Sequence, residues 1–108
     1  MVDSILAKAL EEADIQITFN YITGAPNWNY GLARACFRGH RELVLLLIEK
    51  GATDWNWALA NSCYKGYRDL VLLMIEKGAN DWNTGLRDSC SGGHLDLVLL
   101  MIEKGATD

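Results

Sequence analysis

An all-α fold, an α-solenoid of stacked helix-turn-helix repeats, follows from three observations on this chain of 108 residues. One phrase is written three times, over 27–53, 54–80 and 81–108, so that Trp28, Trp55 and Trp82, and likewise Cys36, Cys63 and Cys90, recur every 27 residues. Periods of roughly 20 to 50 residues mark supersecondary units that bury their apolar faces against their neighbours. Each copy also holds a six-residue apolar run, Leu70-Val71-Leu72-Leu73-Met74-Ile75 in the middle one, in which leucine and methionine outnumber β-branched residues. Charged flanks and a closing Lys-Gly extend it to about ten residues, a helix length rather than a strand length. Finally, glycines stand at fixed places, Gly66 between two apolar segments and Gly78 after the second, where helices end most easily.

The elements follow in chain order. Residues 1–26 keep the rhythm and lose the letters: Ile5, Ala9, Ile17, Phe19 and Tyr21 occupy core positions, and Gly24-Ala25 matches Gly51-Ala52. Lys8, Glu11, Glu12 and Asp14 add charge, as a capping repeat with one neighbour requires. In the window 54–80, Asp54 or Asn56 caps a first helix by accepting from its unpaired N–H groups. Ala58, Leu59, Ser62 and Cys63 share one face of it by spacing, while Ala60, Asn61, Tyr64 and Lys65 point elsewhere. Gly66 stops it. Arg68 and Asp69 open a second helix that closes at Lys77, favourable at the negative end of the dipole, and Gly78. A helix apolar on nearly every side is expected to be buried on nearly every side. The last repeat is as apolar as the internal ones and has no polar cap, so either the natural chain continues or another molecule covers this end, with Leu97, Leu100 and Met101 as candidates for self-association. A leucine-rich repeat is the structural competitor, but it demands alternating Leu-x-Leu strands, and six consecutive aliphatics do not alternate.

The totals bound the function. Half the residues are apolar, enough for a core without metal or disulfides, and a net charge of −4 argues against nucleic acid or an anionic membrane as the main partner. Arg34, Arg38, Arg41, Lys65 and Arg68 nevertheless gather around the mid-repeat turns. No apolar stretch approaches the ~18 residues of a membrane span, and Met-Val-Asp-Ser does not begin a signal peptide, so an intracellular, cytoplasmic location is expected. One cysteine per repeat fits that compartment, because stacked elements sit roughly 10 Å apart, beyond disulfide reach.

The string Leu32-Ala33-Arg34-Ala35-Cys36-Phe37-Arg38-Gly39-His40-Arg41-Glu42-Leu43-Val44, followed by Leu46-Leu47 and Gly51-Ala52, resembles the helical part of the ankyrin repeat. The small pair, Gly-His, Leu-Leu and Gly-Ala fall in its register, over 27–108 strongly and over 2–26 weakly. Two departures matter. The family period is about 33 residues, and the missing stretch lies where an ankyrin repeat carries its β-hairpin; Ala52-Thr53-Asp54-Trp55-Asn56 leaves no room for two strands. The Thr-Pro-Leu-His signature is replaced by Trp57-Ala58-Leu59-Ala60. The chain is similar to the short-repeat ankyrin variety of large DNA viruses, which would place it inside a host cell.

No chemistry-bearing constellation is complete. Cys36 with His40 and Cys90 with His94 have a ligand-like spacing, but the middle repeat offers Tyr67 for histidine and no repeat supplies four ligands, so buried thiols and inter-repeat turn histidines are expected. Glu42, Asp69 and Asp96 start second helices and Glu49, Glu76 and Glu103 end them, which is helix electrostatics rather than an acid pair. No phosphate loop or nucleophile elbow is present, so no catalytic residue, metal or cofactor is assigned and an enzyme is not expected. The tryptophan ladder reads as a plug over the inter-repeat junction or as an aromatic stripe for a ligand, the first favoured because every unit shares it.

The informative positions are those where the copies disagree. At Tyr30/Trp57/Thr84, Ala33/Ala60/Arg87, Arg34/Asn61/Asp88, Phe37/Tyr64/Ser91 and Arg38/Lys65/Gly92, aromatic and basic residues gather, the types that dominate interface hot spots. Tyr30, Arg34, Phe37, Arg38, Trp57, Asn61, Tyr64, Lys65 and Arg87 are therefore the candidate contact residues for a protein partner. The ankyrin resemblance implies the same surface, since the start of the first helix and the turn after it belong to that family's concave face, and Phe37, Arg38, Tyr64 and Lys65 match that turn.

Overall fold

The computed structural model describes residues 28–107, so the expected N-terminal capping repeat lies outside the described residues. Those residues form six helices and no strand: α1 (Trp28–Arg38), α2 (Arg41–Lys50), α3 (Trp55–Lys65), α4 (Arg68–Lys77), α5 (Trp82–Gly92) and α6 (Leu95–Lys104). They divide into two units between Thr53 and Asp54. Each 27-residue copy is a helical pair, and the apolar run of each copy is helical throughout.

Local chemistry explains the boundaries. Asp54 caps α3 by accepting from the Trp57 N–H at 3.2 Å, and Asp81 caps α5 by accepting from the Thr84 N–H at 3.2 Å and the Thr84 hydroxyl at 2.9 Å. Of the two cap candidates in the middle repeat, Asp54 takes the role. The second helices have no side-chain cap; each starts behind a left-handed glycine turn with an acidic residue, Glu42, Asp69 or Asp96, in its positive first turn. Every helix ends in a Schellman closure. In α4 this is Gly78 N–H donating to the Ile75 carbonyl at 3.1 Å and Ala79 N–H donating to the Met74 carbonyl at 2.9 Å; Ala79 is buried against the helix end.

In the first unit, α1 packs against α2 with Leu32, Ala35 and Cys36 buried on one helix and Leu43, Val44 and Leu47 on the other. Gly31 permits this approach, since a Cβ there would lie 3.3 Å from Leu47 Cδ2. In the second unit, α3 packs against α4 and α5, and α5 against α6. Ala58, Leu59, Ser62 and Cys63 form the buried face of α3, as their spacing predicts. The buried serines cost little, because Ser62 donates to the Ala58 carbonyl at 2.8 Å and Ser89 to the Gly85 carbonyl at 2.7 Å.

Three expectations are corrected. The second helices are not buried all round: Leu70, Val71 and Met74 are enclosed, whereas Leu72 is 44% exposed. At 100° per residue, position 72 lies on the side opposite the line of 70 and 74, which is the open side of the helix. Leu97 and Met101 cannot carry self-association, because both are fully buried, one turn apart on the inner face of α6; Leu100 is half-buried, and the apolar residues α6 shows outward are Leu95, Leu99 and Ile102. Cys90 is exposed while Cys36 and Cys63 are buried, because no described helical pair lies outside α5 to cover it.

Candidate functional site

The residues predicted for partner contact are divided between the two units. On α1, Tyr30, Arg34 and Phe37 are half-buried and Arg38 is exposed. The Arg34 guanidinium lies 5.8 Å from the Phe37 ring centroid, a cation–π pair across one turn of helix that holds both side chains in place. On α3, Trp57 is 41% and Tyr64 44% exposed, seven residues apart and therefore on one face, with half-buried Asn61 between them and exposed Lys65 at the end. Asn61 is anchored by donating from Nδ2 to the Trp57 carbonyl at 3.1 Å. Arg87 is exposed on α5, next to Asp88, which occupies the position equivalent to Asn61.

Electrostatics grade this face. Partial burial raises the Asp88 carboxyl above the ordinary carboxylate range, with the Asp81 charge acting in the same sense and Arg87 opposing it. Part of the basic group around the mid-repeat turns is committed locally. Arg41 Nη1 donates to the Gly39 carbonyl at 2.9 Å, and Arg68 Nη1 reaches Asp96 at 3.5 Å, an exposed pair that contributes little to stability.

Two structural devices brace the helical pairs. His94 Nε2 donates to the Tyr64 carbonyl at 3.0 Å, and the imidazole covers Gly66, so the turn histidine ties the last repeat to the preceding one as its position suggested. Gly92 leaves room for that carbonyl; any Cβ there would collide with Tyr64 O. The second device was missed from the sequence. Asn29, Asn56 and Asn83, each following the repeated tryptophan, accept through Oδ1 from the loop that closes their own repeat: Thr53 N–H at 2.7 Å, Asn80 N–H at 2.8 Å and Thr107 N–H at 2.8 Å. Repetition of Asn beside Trp is the available signal, but Asn56 close to Asp54 is equally suited to cap the helix. Trp55 and Trp82 complete the closure within their own repeats: a Cβ at Gly78 would lie 3.7 Å from Trp55 Cδ1, and one at Gly105 3.5 Å from Trp82 Cδ1.

No family model, curated protein or solved structure matches this chain.

The thiols and histidines do not assemble into a centre. No group of three or more potential metal ligands occurs among the described residues, and no helix there is long and apolar enough to cross a membrane. Cys63 is held as a neutral thiol: burial pushes it up to about 11, aided by the Asp88 charge and opposed by a hydrogen bond with Ser89. Such a thiol is a packing group rather than a nucleophile.

Proposed function

We propose that this chain is a non-enzymatic protein-binding scaffold, a short-repeat ankyrin-like solenoid that presents its first helices to an intracellular protein partner. The observation that carries this reading is the pair Trp57 and Tyr64, two large aromatic side chains left two-fifths exposed on one face of a helix whose other face is fully packed. A surface held by caps, Schellman closures and side-chain latches binds with little ordering cost. Trp57 and Tyr64 supply the buried area in a complex, and Lys65 and Arg87 steer acidic groups on the partner. Tyr30, Phe37 and the Arg34 stack offer the same chemistry on α1.

Affinity capture from the native host, with mass spectrometry and paired variants, tests this. Trp57→Ala and Tyr64→Ala should each leave helicity intact and deplete the same captured protein; capture unchanged by both variants contradicts the proposal. The alternative, self-association through the last repeat, would have to use Leu95, Leu99 and Ile102. A monomer by light scattering at high concentration removes it.

A further inference from the structure

The repeats provide their own control for what a covered surface looks like. In the middle repeat Leu59, Cys63 and Val71 are completely buried, and α5 lies over Cys63: a Cβ at Gly85 would lie 3.6 Å from Cys63 Sγ. The equivalent residues one period later are the same three types, Leu86, Cys90 and Val98, yet Leu86 and Val98 are half-buried and Cys90 is exposed. Beside them Ile102 is 52% exposed, where its counterpart Ile75 is half-buried. This bare face carries the chemistry that accepts α5 one repeat earlier.

The loop leading away from it is also preset. Gly105 has φ 130° where Gly78 has 126°, Ala106 N–H donates to Met101 as Ala79 N–H does to Met74, both at 2.9 Å, and Asn83 holds Thr107 as Asn56 holds Asn80. After Asn80 that geometry launches Asp81 and α5. We propose that the outer face of α5 and α6, formed by Leu86, Cys90, Val98 and Ile102, is a docking surface for a further helical pair of the same 27-residue type, continuing from the Gly105–Thr107 loop and seated as α5 seats on α3. The occupant has a small residue at the position of Gly85, where α5 meets the Cys63 thiol. This surface is separate from the aromatic face of α3 and stands or falls independently of the binding reading.

The test is thiol accessibility in the full chain, with and without a second copy of residues 82–108 appended after Asp108, which itself stands at the place of Asp81, the copy carrying Cys90→Ser so that its own thiol is silent. Peptide mapping after a timed iodoacetamide pulse reads the original Cys90 against buried Cys63. Docking should slow alkylation of Cys90 by at least about tenfold, because a covered thiol reacts only through opening. Leu86→Asp in the extended chain should return it to the unextended rate. Undiminished reactivity in the extended chain overturns the proposal, whether the added copy is helical by circular dichroism or not. So does equal protection by an appended scrambled sequence, or protection in the unextended chain that grows with concentration, which would make a second molecule the occupant.

Discussion

Asn56 holds the backbone of Asn80. Its Oδ1 accepts from the Asn80 N–H at 2.8 Å and from the following Asp81 N–H at 3.0 Å, and its Nδ2 faces Asn80 Oδ1 at 3.4 Å. A side chain at the start of α3 thus fixes the loop that delivers the cap of α5. Asn56→Ala should lower stability by about 1–2 kcal/mol, since two backbone donors lose their partner, each worth about 1 kcal/mol net. Asn83→Ala, which releases only Thr107, should cost less. Thermal denaturation of the two variants checks the order.

Gly92→Ala should destabilise by about 1–3 kcal/mol, because the new methyl must displace the Tyr64 backbone, which is not a soft neighbour. Helix propensity pulls the other way by up to about 1 kcal/mol and loses to the clash. Lys65→Ala at the equivalent exposed position in the previous repeat should be near neutral, within about 0.5 kcal/mol. A lower denaturant midpoint for the first variant and an unshifted one for the second is the expected pair.

Leu59→Ala should cost about 2–5 kcal/mol, as removal of a fully buried leucine leaves a cavity. Tyr64→Ala, on the open side of the same helix, should cost under about 1 kcal/mol. Urea unfolding of both distinguishes the packed face from the presented one.

The titrating groups predict two pH effects. The Cys63 thiol ionises at about 11 when folded against an ordinary value of 9.0, so above pH 9 the unfolded chain loses its proton first. Stability present below pH 9 is then lost as pH rises toward 11. Asp88 is also raised in the folded state, so its proton is held more tightly there and ionisation lowers stability. Asp88→Asn should accordingly stabilise at neutral pH and weaken the acid-side pH dependence, as chemical denaturation at stepped pH would show.

Much of this fold was legible because the repeat states its rules three times. Asp54, Gly66 and Gly78 each act through a backbone requirement that one residue type meets locally, so their positions could be read without tertiary knowledge. The one-sided burial of α4 was not legible: Leu70 to Ile75 are apolar throughout, and only the tertiary burial of Leu70, Val71 and Met74 against the exposure of Leu72 separates its faces. The inward position of Leu97 and Met101 is hidden for the same reason, although their four-residue spacing aligns them with the buried Leu70 and Met74 of α4. The asparagine latch was hidden because its acceptor and donors are 24 residues apart in sequence, and Asn56 next to Asp54 looks equally able to cap. Of the candidate face, the exposure of Trp57 and Tyr64 follows from disagreement between copies, whereas the Arg34–Phe37 stack needed coordinates.

The central claim is that each 27-residue unit is a helical hairpin whose exit loop is locked by the asparagine that follows its tryptophan. Residue-resolved amide hydrogen exchange tests it most directly. Helical hairpins so locked predict slow exchange through Leu70 to Ile75 and, outside any helix, at Asn80, Asp81 and Thr107, with protection at Asn80 and Asp81 lost selectively in Asn56→Ala. Rapid exchange at Asn80, Asp81 and Thr107 in the unmodified protein, or loop protection that survives removal of Asn56, would contradict it.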